Sequence, residues 1–141
     1  MFFFAGLVCF YLLLWGLQLL GVNGLDTHHK GLYAAAIMFI LVGVAHFVKR
    51  QRLEAMIPPP LNRHARLLNY GSGVLEIILG VALFFPQWQQ PAAWALMVLL
   101  VLMFPANVYE ARLHPGFSKT FRLFFQPLYI AWLWFFGVYM G

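Results

Sequence analysis

Polar and apolar residues are segregated along this chain into five long apolar runs with short polar segments between them. The runs cover residues 2–22, 31–48, 67–85, 92–109 and 121–140. Each is about 18–21 residues, or roughly 27–31 Å at the rise of an α-helix. They are apolar on nearly every face. The pattern therefore predicts helices in apolar surroundings rather than the short alternating strands of a closed barrel. The segment 49–66 is basic and contains Pro58, Pro59 and Pro60, which cannot continue a helix. Segment 23–30 is polar, 86–91 is a tight turn with Trp88, and 110–120 holds the turn signal Pro115 followed by Gly116. No repeat or second domain is visible. The expectation is an all-α integral membrane bundle of five spans, forming one transmembrane domain over residues 1–141.

Composition sharpens this expectation. Of 141 residues, 63% are hydrophobic and 9% are charged, against about 25% charged in soluble domains. The formal charge of +5 would elsewhere suggest nucleic acid. Here the basic residues lie between apolar runs and lack the aromatic interleaving of a single-strand binder, so no nucleic-acid partner is expected. With five spans, Lys49, Arg50, Arg52, Arg63, Arg66, Arg112, Lys119 and Arg122 fall on one side and Lys30 on the other. That bias places the N-terminus and both basic loops in the cytoplasm and the C-terminus outside, in a bacterial inner membrane. The first run lacks a basic leader and a small-x-small cleavage site, so it is expected to be retained as a span. Cys9 is the lone cysteine, which closes the dithiol route to redox chemistry within this chain.

Polar residues inside the apolar runs are the candidate chemistry. Glu76 is the tenth residue of its run, near the midplane. Asn69, Ser72, Gly73 and Gly80 share its helical face, giving a small, polar stripe suited to packing against other helices. His46, Asn107, Arg122 and Gln126 come from other helices at similar or shallower depth, all in the cytoplasmic half. Asn107 follows Pro105, and Gln126 precedes Pro127. An ionised carboxylate at the bilayer centre costs from about 2.5 kcal/mol upward, relieved by protonation, a paired cation or a wet cavity. Arg122 and His46 are the candidate partners, with His46 better suited to share a proton. Each also has a purely structural reading: register, interfacial anchoring or interhelical hydrogen bonding.

Asp26, His28 and His29 form the other ligand-like cluster. Two histidines and a carboxylate in one short loop are weak evidence for a metal, and none is assigned. No phosphate loop, HExxH motif or nucleophile elbow is present.

Four stretches, LVGVAHFVKRQRLEAMIPPPL, YGSGVLEIILGVALFFP, AAWALMVLLVLMFPANVYEA and FRLFFQPLYIAW, occur in an order that resembles the DoxX-like family of small membrane proteins. The resemblance spans residues 41 to about 134. It implies a four-helix core, here residues 31–141, with residues 1–30 as an additional N-terminal helix and loop. Some family members are subunits of membrane oxidoreductases, including a thiosulfate:quinone oxidoreductase. The resemblance thus implies an accessory subunit of a larger membrane complex, redox or quinone linked, with no independent catalytic activity. Its partners would be membrane lipids and other membrane subunits or further copies of the chain. His46, Glu76, Asn107 and Gln126 occupy the family's polar motif positions, supported by Asn69, Ser72 and Arg122. The alternative function is a stand-alone binder or transporter of a small lipophile through a polar pocket around Glu76. No intrinsic cofactor is expected; a quinone or lipid is the candidate ligand.

Overall fold

A computed structural model describes residues 2–21, 23, 26–59 and 61–140, with the side chains of residues 2–4, 118, 119, 121, 122, 124 and 125 outside that description. Helices are the only regular secondary structure among the described residues, with no strand. The long helices are α1 (Phe2–Leu19), α2 (Thr27–Val48), α4 (Ala65–Ala82), α5 (Gln89–Leu113) and α6 (Phe117–Trp134). A short α3 (Arg50–Glu54) follows α2.

Helix ends depart from the apolar-run boundaries where local chemistry overrides hydropathy. α2 starts before residue 31 because Asp26 caps it: its Oδ1 accepts from the His29 backbone N–H at 2.9 Å. Four polar residues, Thr27, His28, His29 and Lys30, therefore form its first turn. α5 runs past Tyr109 to Leu113, and α6 begins at Phe117. The expected loop 110–120 shrinks to the residues around Pro115 and Gly116, since Glu110 and Arg112 are polar but not helix-breaking. The basic segment 49–66 carries α3 and a 3₁₀ turn, Leu61–His64, which leads directly into α4. Pro105 and Pro127 lie inside α5 and α6, and α6 closes in a π-helical turn, Phe135–Tyr139.

Glycines set the tightest helix pair. A Cβ on Gly73 of α4 would lie 2.7 Å from the His46 Cβ and 3.0 Å from the Gly43 carbonyl oxygen of α2. One on Gly80 would lie 3.0 Å from the Ala36 carbonyl. Backbone against backbone is the packing that small residues allow. The core then draws Leu7 from α1, Leu32 and Phe39 from α2, Leu96 from α5 and Leu133 from α6.

The N-terminal helix belongs to this core. Tyr11 meets Trp132 edge-on at 6.0 Å and also packs on Phe136. Lys30, buried at the start of α2, donates to Gln18 Oε1 at 2.7 Å and lies 5.7 Å over the Tyr11 ring. Trp132 Nε1 donates to the Gly31 carbonyl at 3.0 Å.

Outer faces are apolar: Leu13, Val48, Leu67 and Leu102 are all more than half exposed. Two described helical stretches, Thr27–Val48 and Pro86–Leu113, are long and apolar enough to cross a membrane; Ala5–Leu19 is apolar but shorter.

Candidate functional site

The close approach of α2 and α4 brings His46 against three polar residues of α4. Asn69 Nδ2 donates to the His46 carbonyl at 2.7 Å, and Asn69 Oδ1 faces His46 Nδ1 at 2.9 Å. A carbonyl can only accept, so the Asn69 amide has one orientation, and its oxygen requires a hydrogen on Nδ1. Ser72 Oγ donates to the Asn69 carbonyl at 3.0 Å and lies 3.4 Å from the same Nδ1.

With Nδ1 committed, Nε2 faces Glu76. It lies 3.2 Å from Glu76 Oε2, with both side chains buried. The two atoms are within hydrogen-bond distance but off its ideal direction, and Oε2 makes no aligned hydrogen bond. Two arrangements satisfy the pair. An imidazolium can face a carboxylate, or an imidazole bearing its hydrogen on Nδ1 can face a carboxylic acid. Both have zero net charge, and they differ only in where one proton sits. A neutral pair is how a carboxylate position can be kept among apolar helices without an uncompensated ion.

A second polar pair joins α5 to α6. Asn107 Nδ2 donates to Gln126 Oε1 at 2.9 Å, and Gln126 Nε2 donates to the Leu100 carbonyl. Pro105 has no N–H to give the Val101 carbonyl four residues back, so this turn is short of one helical donor. Gln126, not Asn107, reaches that turn.

Both pairs line one cavity of about 750 Å³. Its walls are mostly apolar, including Met38, Phe39, Val42, Leu75, Leu99 and Met103. Leu53, Met56 and Ile57, from α3 and the segment after it, border it, as do Lys49 and Arg52. His46, Glu76, Asn107, Gln126, Asn69 and Ser72 all contribute to the lining. The Arg122 side chain, the other candidate partner of Glu76, lies outside the described residues. Tyr129 also lines the cavity and is buried. Sequence reading passed over it as one more aromatic, although its position three residues after Gln126 puts it on the same helical face.

The Asp26, His28 and His29 donors lie within 4.8 Å of one another. Helix capping accounts for two of the three, Asp26 and His29. Asp26 Oδ1 is engaged by both the backbone N–H and the Nδ1 of His29. The backbone N–H of His29 is also the main reason the Asp26 carboxyl is held below its ordinary value of 3.8.

Residues 35–137 match the model of the family described as Domain of unknown function (DUF8561), and the chain belongs to that family. No curated protein and no solved structure gives a significant match.

Proposed function

We propose that this chain is a five-span integral membrane protein that binds a small lipophile by its polar head, with the neutral His46–Glu76 pair and the Asn107–Gln126 pair as the head-group contacts. The carrying observation is the convergence of both pairs on one otherwise apolar cavity. Such a site combines bulk affinity with a few orienting hydrogen bonds. The inverted polarity of the bundle supports the membrane setting: His46, Asn69, Glu76 and Gln126 are buried, while large apolar residues cover the outside. The charge bias between loops supports an inner-membrane topology with the N-terminus inside.

Glu76 and His46 would act as a donor–acceptor pair that adjusts its proton to the ligand. A ligand carbonyl would draw the proton toward a donating form, and a hydroxyl would find an acceptor. Quinone-type heads and lipid alcohols meet these requirements. The test is mass spectrometry of lipids extracted from the purified wild type and from Glu76→Gln. A lipophile held by the wild type and lost from the variant is expected. Equal content in both would overturn the role given to Glu76.

The DoxX-like resemblance supports a setting for this pocket within a redox-linked membrane assembly, where the chain would serve as an accessory subunit. Constant partner proteins after mild-detergent purification from native membranes are expected on that reading. A partner-free preparation would remove it.

A further inference from the structure

We infer that the cavity opens sideways between α4 and α5, and that its ligand is a membrane-resident lipid whose neutral head enters while its tail remains among the surrounding acyl chains. This rests on the lipophile-binding reading above and names the class of ligand.

Three observations carry it. First, some residues lining the cavity also lie on the outside of the bundle. On α4 these are Leu67, Leu75 and Gly71, and on α5 they include Leu102. Leu67 is 72% exposed and Leu102 is 69% exposed. One side of the cavity is therefore continuous with the apolar exterior.

Second, α4 carries a glycine that packing does not explain. Gly73 and Gly80 are needed for contact with α2, where a Cβ would strike backbone or a fixed side chain. Gly71 is exposed, and a Cβ there would meet nothing within 4 Å. Glycine in a helix interior is destabilising relative to alanine. At this position it leaves the passage between the two helices unobstructed.

Third, the polar groups at the inner wall are neutral as sets. The His46–Glu76 pair has no net charge in either proton arrangement, and Asn107 with Gln126 are amides. A charged head brought there would lack a counter-ion. The cations that border the cavity, Lys49 and Arg52, are exposed. They favour an anionic head placed at that border as the competing occupant.

The experiment uses the full chain in nanodiscs of zwitterionic lipid. The probes are radiolabelled para-hydroquinones with ethyl, decyl or hexadecyl tails, and hexadecyl sulfate as the anionic probe. Concentrations are expressed per mole of bilayer lipid. Decyl and hexadecyl hydroquinone should bind the wild type equally well, because the added length stays outside. Gly71→Trp and Gly71→Leu should slow association, by about tenfold for Trp. Leu13→Trp, on the exposed face of α1, which contributes no described residue to the lining, should not. Helicity and thermal midpoint identify which Gly71 variant is folded, and the tail-length comparison stands on the wild type alone. Affinity falling from decyl to hexadecyl would mean a closed cavity and overturn the inference. So would unchanged association in a folded Gly71 variant, or preference for hexadecyl sulfate. Binding of no neutral probe by the wild type would overturn the lipophile-binding reading itself.

Discussion

His46 Nε2 stands 3.2 Å from Glu76 Oε2, and Asn69 on the opposite side of the imidazole fixes which nitrogen does the facing. The contact between the pair depends on one shared proton. A side chain that can donate to Nε2 should replace Glu76 structurally, and an apolar one should not. Glu76→Gln is expected to retain stability within about 1 kcal/mol, whereas Glu76→Leu leaves Nε2 without a partner and costs about 1–3 kcal/mol. Thermal unfolding in detergent of both variants checks this. Equal loss in the two would mean that an amide N–H at Nε2 does not stand in for the carboxyl, against the shared-proton reading.

The tautomer is a separate observable. Nitrogen NMR of labelled histidine should find His46 Nδ1 protonated at every pH at which the protein is folded. Asn69→Leu removes both the acceptor at Nδ1 and the donor to the His46 carbonyl, so a mixture of tautomers should appear. A wild type protonated at Nε2 alone would refute the orientation assigned to Asn69.

Gly71 and Gly73 are two residues apart and should respond oppositely to alanine. At Gly73 the new methyl meets the His46 Cβ and the Gly43 carbonyl, neither of which can rotate away. Gly73→Ala should cost about 1–3 kcal/mol and widen the His46–Glu76 gap. Gly71→Ala meets nothing and should be neutral or stabilising by about 0.5–1 kcal/mol. Paired unfolding curves decide the point.

Gln126→Leu should destabilise by about 1–3 kcal/mol, because it removes a donor to the Leu100 carbonyl and leaves Asn107 Nδ2 without its acceptor. Asn107→Leu removes only the second contact and leaves Gln126 Nε2 on Leu100. It should cost less, and the reverse order would contradict the roles assigned to the two amides.

Asp26 gives a pH-dependent prediction. Its carboxyl is held below 3.8 chiefly by the His29 backbone N–H. A depressed folded-state value means that ionised Asp26 stabilises α2 above the unfolded value, and that this stabilisation is lost as pH falls through the folded one. Asp26→Ala should therefore cost about 1 kcal/mol near neutrality. The difference between variant and wild type should vanish in strong acid. A difference that persists there would point to a role other than capping by the ionised form.

The number and type of long helices were legible in the apolar runs, because hydropathy reports directly on what surrounds a helix. So was the facing set around Glu76: spacing on α4 placed Asn69, Ser72, Gly73 and Gly80 on its side. Spacing could not show that Asn69 would fix the imidazole, because that depends on how closely Gly43 and Gly73 let two helices approach. The partner of Leu100 was equally hidden, since a backbone carbonyl leaves no mark in sequence. Helix ends were misjudged where polar residues such as Glu110 and His29 continue a helix rather than end it.

The packing of α1 bears on what counts as one unit. The match to the family begins at residue 35, inside α2. Yet Tyr11 lies against Trp132 and Phe136, Leu7 is in the core, and the Trp132 indole donates to Gly31. A chain trimmed to residues 35–137 would shed all of these contacts while keeping every residue by which its relatives are recognised. Kinship and foldability therefore have different borders in this protein, and the second encloses the first.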